Sequence, residues 1–167
     1  AGLGNNWIDG QSGDDLLKST GYSSYWYSNS WYTWQSVASF SVLHGGDGND
    51  VLLVSALGNN SLSGGAGDDL LQVLQSSADV GGDAWTSAYH NSSNGFSGGT
   101  GNDVIIGSAG HDLYVFDRGD GQDTIRDNPM GVEMSNDITG RWIQDEVLFG
   151  AGIAVSDIVC IRVGDDL

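Results

Sequence analysis

Residues Gly45-Gly46-Asp47-Gly48-Asn49-Asp50-Val51-Leu52-Leu53 follow a nine-residue pattern, Gly-Gly-x-Gly-x-Asp-x-aliphatic-x. The pattern recurs without a fault at Gly64 to Gln72 and at Gly98 to Ile106. One copy would say little, because glycine and aspartate are common in loops. Complete copies at this period constrain the chain to stacked repeating units, each burying its apolar side against its neighbours. Within a unit, glycines at positions one, two and four permit positive φ and tight turning, so that backbone carbonyls converge. The aspartate at position six adds a short, hard oxygen, and positions seven to nine extend as a strand whose middle residue points inward. Oxygen donors of this kind suit Ca²⁺, which takes about six to eight of them in a forgiving geometry.

Degenerate units fill the spaces between the complete ones. Residues 1–9 carry Asn6 at position six, 10–18 carry Asp15, 36–44 carry Ser41, and 55–63 carry Asn60. Residues 89–97 carry Asn94, 107–115 carry Asp112, and 118–126 carry Asp123. Successive units of such a roll lie on opposite faces. One face is therefore expected to line up Asp15, Asp50, Asp69, Asp103 and Asp123, and the other Asn6, Ser41, Asn60, Asn94 and Asp112. Four gaps between five aspartate loops give about four good calcium sites on the first face. A ladder of hydrogen-bonded Asn side chains is the expected substitute on the second. The candidate metal ligands are these aspartates, Asp112 included, with positions one, three and five of the complete copies: Gly45, Asp47 and Asn49; Gly64, Ala66 and Asp68; Gly98, Thr100 and Asn102.

Two stretches interrupt the array. Residues 19–35 hold seven of the sixteen aromatic residues (Tyr22, Tyr25, Trp26, Tyr27, Trp31, Tyr32, Trp34), and residues 73–88 form the second insertion, with Trp85 in it and Tyr89 just after. Both fall in the same phase, so they should emerge on the same side. The aromatic residues are read as folding back over a flank of the roll, with a sugar- or surface-binding role as the alternative.

The acidic groups are twenty Asp and two Glu in a chain of net charge −17. The short carboxylate is the one that turn-borne ligands require. The charge argues against nucleic acid and anionic membranes as partners. The inward set, Ile8, Leu17, Leu43, Leu52, Leu62, Leu71, Phe96, Ile105, Tyr114 and Ile125, gives one apolar side chain per unit, worth about 1.5–3 kcal/mol each. That is small against backbone ordering at about 1–2 kcal/mol per residue, so folding and metal binding should be one linked event. Cys160 is alone, so no intrachain disulfide can substitute for the metal. No apolar run is long enough to span a membrane and no signal peptide is visible.

The pattern stops at Asp127. Asn128-Pro129 reads as a turn, and Glu146–Phe149 and Ile158–Val163 read as strands that cap the open end. The Arg residues of the last third are expected to neutralise local Asp. Gly95-Phe96-Ser97-Gly98-Gly99 matches the nucleophile elbow of serine hydrolases, but the helix that motif needs has no counterpart in the pattern after it, so no catalytic role is assigned. His44, His90 and His111 are not at zinc spacing and are expected in turns.

The nonapeptides resemble the haemolysin-type repeats of the RTX (repeats-in-toxin) family. The run Leu113 to Arg126, with Asp145 to Ile153 after it, looks like the module that follows those repeats in many members. The resemblance implies an all-β chain, a right-handed parallel β-roll (a β-helix or solenoid) with two inserted loops and a C-terminal β cap. On this reading residues 1–126 are the roll and 127–167 its cap. It further implies a chain unfolded in calcium-poor cytosol, exported by type I secretion, and folded on meeting calcium outside the cell or at its surface. The expected partners are calcium ions and the rest of a larger parent chain, with a glycan or cell-surface ligand as the alternative. The long insertions depart from the usual continuous array, and the stretch that carries the export signal in such proteins is not recognised here.

Overall fold

Inward and outward residues alternate after each position-six residue, and short strands stacked in parallel are the result. The structure is a computed structural model that describes residues 5–19, 24–28, 31–35, 40–55, 59–74, 93–108, 110–127 and 145–159, with the backbone alone for 24–28 and 31–35. One sheet holds β1 (Asn6–Ser12), β5 (Ser41–Asp47), β7 (Ser61–Ala66), β9 (Ser93–Thr100), β11 (His111–Phe116) and β13 (Glu146–Phe149), in that order. The facing sheet holds β2 (Leu16–Ser19), β6 (Val51–Ser55), β8 (Leu70–Leu74), β10 (Val104–Ile106) and β12 (Thr124–Arg126). Every pairing within these two sheets is parallel, as a β-roll requires. The chain alternates between the sheets, so the two-face assignment holds through both insertions.

Register stacks Ile8, Leu43, Leu62, Phe96, Tyr114 and Val147 in the first sheet. Leu17, Leu52, Leu71, Ile105 and Ile125 stack in the second. Up to Tyr114 and Ile105 these rows meet as the core, with the Phe96 and Tyr114 rings stacked 5.3 Å apart, while Val147 is exposed. The core is deeper than one residue per unit. β6 and β8 run on far enough to bury Val54, which the sequence pattern treats as an extra residue, and Val73, which it places in an insertion. Ile125 holds its inward register but stays 42% exposed, because β12 is the last strand of its sheet among the described residues.

The Glu146–Phe149 strand adds to the first sheet by pairing with β11. The second expected capping strand does not begin where the pattern puts it: Ile158 and Val159 follow a 3₁₀ turn at Val155–Asp157 and lie outside any strand. The rest of that segment, from Cys160, lies outside the described residues. Arg118 reaches across to Asp157 at 3.1 Å and to the Gly152 carbonyl, which ties the turn after β11 to the segment beyond β13. His44 is within β5 rather than in a turn, exposed and 3.7 Å from Asp9; His111 opens β11; His90 is outside the described residues. The first insertion contains an antiparallel hairpin, β3 (Ser24–Ser28) with β4 (Trp31–Gln35), rather than a plain loop. Beyond Leu74 the second insertion lies outside the described residues.

Crossings from the first sheet to the second are short and uniform: residues 13–15, 48–50, 67–69 and 101–103, with a longer one at 117–123. Crossings back vary widely, and both insertions fall there. The glycines of the short crossings do two different jobs. Gly46 and Gly48 have φ of 115° and 134°, and a Cβ on either would strike a backbone carbonyl of the preceding unit, at Gln11 and Gly13. Position one is different, since Gly45 and Gly64 have no positive φ and serve by leaving space. Gln11 sits at position two with φ 74° on the edge strand β1. Gln11→Gly should relieve that strain and stabilise the roll by about 1 kcal/mol in urea denaturation at fixed calcium.

Candidate metal centre

Each short crossing ends on a position-six aspartate whose two oxygens have separate fates. In Asp50, Asp69, Asp103 and Asp123 one oxygen, Oδ1, accepts a backbone N–H from the preceding unit. Asp15 N–H donates to Asp50 at 2.8 Å, Asp50 N–H to Asp69 at 2.7 Å, Asp69 N–H to Asp103 at 2.8 Å, and Asp103 N–H to Asp123 at 3.1 Å. The other oxygen, Oδ2, is buried and without a hydrogen-bond partner in Asp15, Asp50, Asp69 and Asp103. An unpaired buried carboxylate oxygen costs several kcal/mol, so a row of them calls for cations.

The space beside each orphan oxygen is held open by a position-one glycine. A Cβ on Gly45 would collide with Asp50 Oδ2 and lie 2.5 Å from the Gly64 carbonyl oxygen. One on Gly64 would meet Asp69 Oδ2 and the Gly98 carbonyl oxygen, and one on Gly10 would meet Asp15 Oδ2 and the Gly45 carbonyl oxygen, in the same way. A carboxylate oxygen of one unit and a carbonyl oxygen of the next thus converge on the spot that such a Cβ would fill. The donors are all hard oxygens, with no nitrogen or sulfur, which suits Ca²⁺ over zinc.

Electrostatics agree with that need. Burial pushes the Asp69 and Asp103 carboxyls up to about 6, against backbone hydrogen bonds that pull them down, and neighbouring aspartates add to the rise. Burial raises Asp123 as well. A metal ion would reverse these shifts by supplying the missing positive charge.

Of the other expected ligands, Gly45, Gly64 and Gly98 bring their carbonyls to the row. The carbonyls of Asp47, Ala66 and Thr100 accept inter-unit bonds from Gly13, Gly48 and Gly67, at 2.7, 2.8 and 2.8 Å. The side chains of Asn49, Asp68 and Asn102 form an exposed outer ladder of opposite polarity with Asp14. Asn49 N–H donates to Asp14, Asp68 N–H to Asn49, and Asn102 N–H to Asp68.

The second face is a hydrogen-bonded spine, as its neutral residues suggest. Asn60 Nδ2 donates to Asn94 Oδ1, and Asn94 Nδ2 to Asp112 Oδ1, each at 2.9 Å. Towards the amino-terminal end the hydroxyls of Ser19 and Ser41 complete it, 2.8 Å apart, with Asn6 donating to Ser19. Asn60→Ala would also strip Ser41 N–H of its acceptor. It should cost about 1–3 kcal/mol in thermal unfolding at saturating calcium, with the calcium stoichiometry unchanged.

Asp112 belongs to this spine rather than to a row of orphan carboxylates. Asp112 Oδ1 accepts from Asn94, and its Oδ2 accepts from Ser108 N–H at 2.7 Å. Burial raises its pKa. Two further carboxylates, Asp127 and Asp145, bring oxygens within 4.8 Å of it and of each other. Both were missed in the sequence. Asp145 accepts the Asp112 N–H at 2.8 Å and so takes position six of a further unit, as its Asp-x-aliphatic run with Val147 could have signalled. Asp127 stands where position one would call for glycine, and Tyr114 Oη donates to it at 2.7 Å.

The elbow motif lies wholly inside β9 with Phe96 buried, and no helix follows it among the described residues. Nor is any helix there long and apolar enough to cross a membrane.

The RTX calcium-binding nonapeptide repeat model matches the chain in four copies, at residues 1–19, 39–56, 44–72 and 96–125. All four orphan aspartate oxygens lie in these segments. No curated protein and no solved structure matches the chain. Repeats of this kind bind calcium ions, and by them the chain belongs to the RTX calcium-binding nonapeptide repeat family.

Proposed function

We propose that this chain is the calcium-triggered folding module of a secreted protein. It stays open in calcium-poor cytosol, passes through a type I secretion channel unfolded, and closes into the roll outside the cell, where it stabilises the parent chain it belongs to. The role is structural, not catalytic. The observation that carries the reading is the row of four buried Oδ2 atoms with no hydrogen-bond partner. A chain of net charge −17 with such a row is held open by its own repulsion until divalent cations arrive. Ion binding then contributes directly to folding free energy.

Circular dichroism in EDTA, titrated with Ca²⁺ and separately with Mg²⁺, tests it. A cooperative gain of β signal with Ca²⁺ alone is expected, with a midpoint on the order of 10⁻⁴–10⁻³ M, the range of extracellular calcium modules. Mg²⁺ demands a tighter octahedral geometry and should fail. A chain fully folded in EDTA at neutral pH would overturn the proposal.

A further inference from the structure

We propose that one face of the β3–β4 hairpin is a binding platform for neutral glycans. The hairpin register sets Tyr25 opposite Trp34 and Tyr27 opposite Tyr32, with Trp26 opposite Thr33 between them. Directly opposed residues of an antiparallel pair share a face, and so do alternate pairs. Tyr25, Tyr27, Tyr32 and Trp34 therefore hold one face of the ladder, while Trp26 and Thr33 belong to the other. The two aromatic pairs are two strand residues apart, about 7 Å. That separation lets successive rings of an extended sugar chain each find an aromatic position.

The hairpin is a two-stranded sheet of its own, paired with neither sheet of the roll among the described residues. Its charge character narrows the partner. Residues 24–35 hold no charged residue in a chain of net charge −17. A polyanion, whether nucleic acid, sulfated glycan or acidic lipid, would be repelled by the chain and meet no Lys or Arg on the hairpin. A cationic partner would find no carboxylate there. An uncharged polyhydroxylic ligand fits, because its C–H faces stack on aromatic rings and its hydroxyls match the O–H and N–H groups that Tyr and Trp themselves carry. The inference goes beyond calcium-coupled folding and concerns residues apart from the metal row.

The test is affinity electrophoresis of the full chain, with calcium, through gels containing hydroxyethyl cellulose, mixed-linkage β-glucan, galactomannan or dextran. Co-sedimentation with phosphatidylcholine vesicles is the membrane arm. Retardation by at least one polysaccharide is expected. Trp34→Ala and Tyr27→Ala should weaken it by about tenfold or more, and Trp26→Ala, on the opposite face, by about twofold or less. Trp34→Phe, which keeps a ring at that position, should retain binding and so separates lost stacking from a lost hairpin. No retardation by any of these polysaccharides would overturn the proposal. So would equal loss from Trp26→Ala and Trp34→Ala, or binding to the vesicles alone.

Discussion

Asp69→Asn is expected to move the two states of the roll in opposite directions: the metal-free fold becomes more stable and the calcium-loaded fold less so. Asparagine keeps an oxygen where Asp69 Oδ1 accepts the Asp50 N–H, so the inter-unit bond survives. What is lost is a buried charge whose Oδ2 has no hydrogen-bond donor. Without metal that charge only costs, through desolvation and repulsion from Asp50 and Asp68. With calcium it is a ligand. Its removal should raise the calcium midpoint about tenfold or more, on the order of 1.4 kcal/mol. Thermal melts in EDTA and in saturating calcium read both halves, and a variant that lost stability in both would show the carboxylate to be structural whether or not calcium is bound. Asp69→Ala is the contrast, since it removes the backbone acceptor as well and should weaken both states.

Acidification should partly replace calcium. Asp69 and Asp103 titrate near 6 in the metal-free fold, against 3.8 for an ordinary aspartate. Between those values the folded chain holds protons that the unfolded chain has released. Stability from this source is therefore fully present below about pH 4 and lost as pH rises through about 6. The metal-free chain should gain β signal as pH falls from 7 to about 4, the reverse of ordinary acid denaturation. Calcium needs the same carboxylates deprotonated, so its affinity should fall below about pH 6 and its binding should release protons. Relief of the overall negative charge acts in the same direction. The Asp69→Asn, Asp103→Asn double variant separates the two effects, and a pH profile unchanged in that variant would assign the whole effect to net charge.

The two faces were legible in the sequence because position six does two jobs at once. Whatever residue stands there both leads into the strand and bonds to a neighbouring unit, so Asp50 and Asp69 could be set apart from Asn60 and Asn94 by counting alone. The inward row was legible for the same reason, as strand alternation fixes Leu52 and Leu71 once the unit is placed. The rest depends on contacts that spacing does not encode. Asp127 breaks the pattern at a glycine position, and only the stacking of β12 on β10 brings it to Tyr114 and Asp112. Val54 and Val73 join the core because β6 and β8 extend beyond the nine-residue unit, a length that no single unit specifies. Position-one glycine could not be told from positions two and four by composition, although one leaves room for a ligand and the others turn the backbone.

The unequal crossings give the roll a parity rule. Four of the five calcium-facing crossings are three residues long, each stacked on its neighbour, whereas the return crossings are closed at one place by 56–60 and elsewhere carry an entire hairpin. A segment spliced into a return crossing leaves one sheet and rejoins the other, whatever its length, so every later unit keeps its side. The metal row is thus insulated from what is displayed opposite it. The molecule is in effect a rack with one fixed rail and one row of open sockets, and cargo grafted at residues 56–58 should leave the register intact where the same graft at 48–50 would destroy it.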